Sequence, residues 1–293
     1  MLEKILVPLD GSALGELALA YMKELAPAFN SEVHLISVYE RRDAEYRRMV
    51  QGYLEKVAEQ TSSDFEKLKL SNTVKPVVLD GDPAAEIIGY AQQKKIDLIV
   101  IVSHGHSGIM PWTMGSTVNK VVHNTRTPVL LVRASMVNSM HESAKFFGKI
   151  LLPLDGSKVG EAALSYVSEI AQKLKSEVTL ISVIELGQRV HTIGGKDYIS
   201  FTEQQVESMM AEATEYLAAT SKKLSDKGIN VRSVMKDGNA AGEIIDFAKE
   251  SNLHLVVMSS HGRSGMRGWV FGSVSNKVLQ SGKVSLLLIN APQ

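Results

Sequence analysis

Apolar residues along the chain gather into short β-branched runs, separated by longer stretches in which they recur every three or four positions. In the first half the runs are Ile5–Leu9, Val33–Val38, Val74–Leu79, Leu98–Val102 and Val129–Val132, each of strand length. Leu14, Leu17, Ala18, Tyr21 and Leu25 keep helical spacing between the first two runs, as do Tyr46, Met49, Val50, Tyr53, Val57 and Phe65 within 43–71. Ala84–Gln93 and Thr117–Asn124 predict two more helices. The second half repeats the pattern, with strands expected near 150–154, 178–184, 231–236, 254–259 and 284–290. Strands alternating with helices imply right-handed parallel βαβ units with helices on both faces of the sheet. Each half therefore reads as a five-stranded α/β layer. The apolar last strands, Val129–Val132 and Leu286–Ile289, invite edge-to-edge pairing between the halves or with another chain.

Self-comparison turns the similarity of pattern into a duplication. Residues 4–16 (KILVPLDGSALGE) match 149–161 (KILLPLDGSKVGE) at 10 of 13 positions, at an offset of 145. Residues 103–120 match 260–277 at 10 of 18 positions, but at an offset of 157. The second copy thus carries 12 more residues between the two blocks. The segment Gly187–Ser200, GQRVHTIGGKDYIS, reads as an inserted loop. The expected division is a domain at 1–135, a linker at 136–147 and a second domain at 148–293.

Composition narrows the chemistry. The 293 residues carry 32 basic and 32 acidic side chains, and this neutrality argues against a nucleic-acid-binding surface. Zero cysteines exclude disulfides, thiolate metal sites and cysteine nucleophiles. No apolar run reaches the ~18 residues of a membrane span, and the start, MLEKILVPLD, lacks the pattern of a secretory signal. The expectation is a cytoplasmic protein working through backbone, oxygen and nitrogen groups. Eight histidines without paired ligand spacing predict no metal site. The basic cluster at 41–48 reads as one solvated helix face.

Two loops in each half fall at strand carboxyl ends, where open α/β sheets bind ligands. The first strand ends in Pro8-Leu9-Asp10-Gly11-Ser12, repeated as Pro153-Leu154-Asp155-Gly156-Ser157. The fourth ends in Ser103-His104-Gly105-His106-Ser107-Gly108, repeated as Ser260-His261-Gly262-Arg263-Ser264-Gly265. Nine residues separate Gly105 from Gly115-Ser116, and nine separate Gly262 from Gly272-Ser273. Glycines let backbone amides approach an anion, and a Gly-Ser helix start offers unpaired N–H groups at the positive end of a helix dipole. Asp10 and Asp155 suit ribose hydroxyls. Local roles compete with this reading: Asp10 and Ser12 could cap a helix, as could Ser116 and Ser273, and the glycines could serve turns. His104 and His261 have no visible catalytic partner, and Trp112 and Trp269 could cover a ligand or anchor packing.

These motifs resemble the universal stress proteins, once per half over nearly the whole chain. The resemblance implies two tandem α/β sandwich domains, each a five-stranded parallel sheet of order 3-2-1-4-5, packed as a pseudo-dimer. It brings the Asp loop and the Gly loop into one cleft. ATP-binding members of the family carry G-x-x-G-x(9)-G-[ST]. Here the leading glycine is replaced by Val102 in half one and by Ser259 in half two. A β-branched residue resists unusual φ and crowds a ligand, so half two is expected to be the better site. The resemblance implies that Val183 (Val38 in half one) lies against adenine beside Pro153 and Asp155, and that Ser273 and Val274 meet phosphates. With Met258, His261 and Arg263 in half two and Pro8 and Thr117 in half one, these complete the candidate set. The expected ligand is ATP (or ADP or AMP), with magnesium arriving alongside it. The expected role is stress-response regulation through conformation or a regulatory protein partner, with homodimerisation through edge strands as a further route. A slow ATPase and an interaction module that binds no nucleotide are the alternatives. Efficient phosphoryl transfer needs a positioned base and a cationic clamp, and neither glycine loop contains a lysine.

Overall fold

The computed structural model describes residues 1–40, 44–103, 114–134, 145–185, 187–192, 195–200, 202–261, 271–281 and 284–290. Half one runs β1 (Lys4–Pro8), α1 (Leu17–Phe29), β2 (Glu32–Tyr39), α2 (Ala44–Lys67), β3 (Val74–Asp80), α3 (Pro83–Lys94), β4 (Leu98–Val102), α4 (Ser116–Asn124) and β5 (Val129–Val132). Half two runs β6 (Lys149–Pro153), α5 (Ala162–Leu174), β7 (Glu177–Ile184), β8 (Gly187–Thr192), β9 (Gly195–Ser200), α6 (Glu203–Ser225), β10 (Asn230–Asp237), α7 (Ala240–Glu250), β11 (Leu255–Ser259), α8 (Ser273–Ser281) and β12 (Ser285–Ile289).

Local chemistry sets the helix ends. Before α3, the Asp82 carboxylate accepts from Ala85 N–H at 2.9 Å and Pro83 follows at the first helical position, which needs no donor. Asn239 caps α7 in the same way, accepting from Gly242 N–H at 3.2 Å. The apolar spacing then decides the buried face: Ala84, Ile87, Tyr90 and Ala91 of α3 point into the core.

One sheet of ten strands spans both halves, in the order β10-β7-β6-β11-β12-β5-β4-β1-β2-β3. Each half is parallel with the expected 3-2-1-4-5 order, and the halves join where β12 runs antiparallel to β5, Leu287 opposite Leu130. Alternate strand residues separate into two apolar layers. Ile5, Val7, Val100, Ile150 and Val257 pack with α1, α2, α5 and α6; Leu6, Ile99, Leu151 and Val256 pack with α3, α4, α7 and α8. Both layers continue across the junction, so the duplicated halves share a core.

One expectation needs adjustment. Residues 187–200 are a hairpin rather than a loop: β8 and β9 pair antiparallel from Gly187 opposite Ser200 to Thr192 opposite Gly195. Val190, Thr192, Tyr198 and Ile199 supply β-formers around a Gly-containing two-residue connection, a combination that favours hairpins. The apolar last strands, expected to pair between halves or between chains, pair with each other; each has a partner on both sides, which leaves β3 and β10 as the outer edges. Of the expected linker, 136–144 lies outside the described residues. Among the described residues no helix is long and apolar enough to cross a membrane.

Candidate functional site

Because β1 lies between β2 and β4, and β6 between β7 and β11, the chain leaving the first strand of each half emerges beside the ends of its second and fourth strands. The Asp turns have the same construction in both copies. Ser12 N–H and Oγ donate to Asp10 Oδ1 at 3.0 and 2.6 Å, and Ser12 Oγ accepts from Gly15 N–H at 3.0 Å. In half two the corresponding distances are 3.0, 2.7 and 2.9 Å, for Ser157 on Asp155 and Gly160 on Ser157. Gly11 and Gly156 sit at φ of +79° and +80°, a region closed to most side chains. The capping bond lies one turn ahead of α1, where Ser12 O also accepts from Glu16 N–H at 3.2 Å. The position immediately before α1, Glu16, has no side-chain cap; Ser12 caps the turn that leads into the helix, and Asp10 holds Ser12 in place. Pro8 and Pro153 are half-buried at the strand ends, and Val38 and Val183 are half-buried against the α3/α7 layer.

At the other wall, Gly115 precedes α4 with no side-chain cap, so Ser116 is not the cap that a purely local role would make it. The Gly115 and Gly272 amides donate to Ser103 and Ser260 carbonyls at 3.0 and 2.9 Å, while their own carbonyls accept from Asn119 and Asn276 at 2.9 Å. The donors left for an anion are therefore those of the first helical turn, from Ser116, Thr117 and Val118 and from Ser273, Val274 and Ser275. Ser116 and Ser273 are exposed there, and Thr117 and Val274 half-buried.

The departure from the family pattern takes a different physical form from the one expected. Val102 and Ser259 are both buried strand residues, paired with Val132 and Ile289, and neither has a positive φ. Backbone conformation does not separate the halves at this position; the hydroxyl does. Ser259 Oγ accepts from His261 N–H at 3.4 Å, Ser260 Oγ lies 2.9 Å from His261 Nδ1, and Ser275 Oγ donates to Ser260 O at 2.7 Å. These bonds tie the end of β11 to the start of α8. Met258, one residue earlier, is buried in the opposite layer. Among the described residues, the buried His261 Nε2 has no hydrogen-bond partner. Gly105, Gly108, Gly262, Arg263 and Gly265 lie outside the described residues, as do His104, Trp112 and Trp269.

Sequence reasoning missed the third-strand turns. Gly81 and Gly238 take φ of +150° and +133° and donate to Tyr39 O and Ile184 O, both at 3.1 Å, at the strand ends next to Val38 and Val183. The signal was present: Asp80-Gly81-Asp82 recurs as Asp237-Gly238-Asn239 at the offset of 157. Behind the Asp10 turn, the Tyr53 hydroxyl donates to Glu16 Oε1 at 3.0 Å. Burial, then the Glu16 and Asp10 carboxylates, hold its phenol above the ordinary range. Among the described residues no three His, Asp or Glu side chains group as a metal site.

The family model described as "Universal stress protein family" matches this chain twice, over residues 1–133 and 147–290. Universal stress protein MJ0531 of Methanocaldococcus jannaschii is 27% identical over 168 residues, 56% of this chain and 95% of its own. Universal stress protein YxiE of Bacillus subtilis is 28% identical over 146 residues, 49% of this chain and 99% of its own. In architecture, the crystal structure of a universal stress protein from Archaeoglobus fulgidus superposes with a TM-score of 0.70 at 21% identity, covering 99% of both chains.

Proposed function

Because the chain belongs to the universal stress protein family and carries its domain twice, we propose that it is a stress-response regulatory protein that binds ATP or a related adenine nucleotide in half two. The observation that carries this reading is the pairing, at neighbouring strand ends, of an Asp turn with a Gly-Ser helix start. The helix offers first-turn amides and a positive dipole end to phosphates, and Asp155 offers its carboxylate to ribose hydroxyls. Half-buried Val183 and Pro153 supply apolar contact for a base. Half two is favoured because the Ser259 and Ser275 hydroxyls brace its phosphate wall where half one has Val102 and Val118.

Magnesium would arrive with the phosphates. Nucleotide occupancy would act by changing conformation or partner choice in the cytoplasm, through a regulatory protein or a second copy at the outer edges β3 and β10. The domains proposed are 1–135 and 148–293, joined by 136–147.

The test is to assay nucleotide released on denaturing the purified protein, then to titrate ATP by calorimetry. Bound nucleotide or saturable heat at up to millimolar ATP is expected, lost on Asp155→Ala and on Gly272→Val. No nucleotide and no heat would overturn the reading. Loss on Gly115→Val with retention on Gly272→Val would move the site to half one.

A further inference from the structure

The phosphate wall of half two touches half one. Phe271, the residue before Gly272, has its ring centroid 4.5 Å from that of His123, at an interplanar angle of 47°. His123 belongs to the last turn of α4, in the other copy of the domain. Its Nδ1 lies 2.9 Å from the Asn119 carbonyl. A carbonyl only accepts, so Nδ1 carries the proton and the ring orientation is fixed from within α4. On the side of its own half, Phe271 stands 6.4 Å from His261. It is half-buried against the layer formed by α3, α4, α7 and α8.

The pair has no equivalent in the other direction. At the offset of 157, Phe271 corresponds to Met114 and His123 to Gln280. An aromatic–imidazole contact can therefore form on the half-two site and not on the half-one site. The backbone of Phe271 leads into Gly272, whose amide is held by Ser260 and whose carbonyl accepts from Asn276 in the first turn of α8. A side chain that fixes Phe271 therefore fixes where the first-turn amides point, and the binding of an anion by amides depends on that pre-organisation.

We propose that His123, from half one, is a positioning residue for the nucleotide site of half two, acting through Phe271. The inference rests on the nucleotide-binding reading above. It makes that site a composite of both halves and gives the tandem arrangement a role that an isolated half-two domain would lack.

The experiment titrates ATP by calorimetry into the full chain carrying Asp10→Ala, so that half two alone is read, with thermal unfolding followed in parallel. Adding His123→Ala should weaken ATP binding by about two- to tenfold, the scale of an aromatic pair, with unfolding still cooperative. His123→Phe should restore affinity to within about twofold of the parent. Phe271→Met should weaken binding as His123→Ala does, and the double variant should be no weaker than either single one, since both remove the same contact. Unchanged affinity on His123→Ala, equal loss on His123→Phe, or additive losses in the double variant would overturn the positioning role while leaving nucleotide binding intact. If the Asp10→Ala parent binds no ATP, both the half-two reading and this inference fall.

Discussion

The Tyr21 hydroxyl lies 2.8 Å from Ser285 Oγ, joining the first helix of half one to the last strand of half two in a fully buried position. Ser285 Oγ also accepts from Arg133 N–H at 3.1 Å. Around this bond, Tyr21 packs against Phe146 and Phe147 at ring distances of 4.3 and 5.7 Å. Glu24 accepts from the Phe146 and Phe147 amides at 2.7 and 3.4 Å. The halves are thus held by specific buried polar contacts as well as by shared apolar layers.

Removing one side of this contact should cost more than removing the other. Ser285→Ala leaves the Tyr21 hydroxyl and the Arg133 amide buried without their partner, which is expected to destabilise by about 2–6 kcal/mol, at about 1–3 kcal/mol for each orphaned group. Tyr21→Phe leaves Ser285 still accepting from Arg133 and should cost about 1 kcal/mol. Urea unfolding of the two variants reads the difference, and an equal or reversed order would mean that Ser285 is not the hub.

Alkaline pH should act through the same tyrosine. Burial, the largest effect, pushes the Tyr21 phenol up to about 12, and Ser285 only partly offsets it. In the unfolded chain the phenol ionises near its ordinary value of 10, so above that pH the folded state holds more protons than the unfolded state. Stability from this group is therefore complete below pH 10 and falls as pH rises towards 12. The difference in unfolding free energy between the unaltered chain and Tyr21→Phe cancels other titrating groups. It should shrink over that interval, and a difference that stays constant from pH 9 to 12 would contradict the shift.

The residue after each last strand reaches into the opposite half. The Arg133 guanidinium donates to the Leu279 carbonyl near the end of α8, and Asn290 Nδ2 donates to the Thr125 carbonyl at the end of α4, at 2.8 Å. Both satisfy carbonyls that a helix end leaves open, and a cation there also suits the helix dipole. Arg133 is 4% exposed, its Nε has no partner among the described residues, and burial lowers its pKa to about 10. Arg133→Ala should cost about 2–4 kcal/mol through the cavity it leaves. Arg133→Met should cost under about 1 kcal/mol, because it refills the volume and removes a buried charge. If denaturation midpoints place the methionine variant level with alanine, the guanidinium–carbonyl bond outweighs packing.

The fold was legible because its signals are repeated and periodic. Strand positions such as Ile5–Leu9 and Val129–Val132 are apolar on both faces, which only a sheet covered twice explains. The offsets of 145 and 157 fix which strand corresponds to which. What stayed hidden depends on contacts between positions far apart in the chain. Nothing in Leu286 or Leu131 says that they face each other rather than another chain. Ser275 stands where half one has Val118, and only the folded loop reveals its hydroxyl bridging to Ser260. The hairpin at 187–200 was hidden because Gly187 and Gly195 stand at strand ends, where they read equally well as loop residues.

The Asp turns allow a matched test of which half binds. A Cβ placed on Gly160 would lie 2.6 Å from Asp155 Oδ1 and 3.1 Å from Ser157 Oγ; on Gly15 it would lie 2.7 Å from Asp10 Oδ1 and 3.3 Å from Ser12 Oγ. Neither glycine has a positive φ, so alanine acts by crowding the carboxylate and not by straining the backbone. The turns have the same hydrogen bonds in both halves, so Gly15→Ala and Gly160→Ala should lower the melting temperature by similar amounts. Their effects on ligand binding should part company. Gly160→Ala displaces the carboxylate offered to the ribose of half two and should weaken ATP by about tenfold or more, a charge-assisted hydrogen bond being worth about 1.5–3 kcal/mol. Gly15→Ala should leave the affinity unchanged. Equal weakening by both variants would mean that both halves bind, and weakening by Gly15→Ala alone would place the nucleotide in half one, against the bracing that Ser259 and Ser275 give to half two.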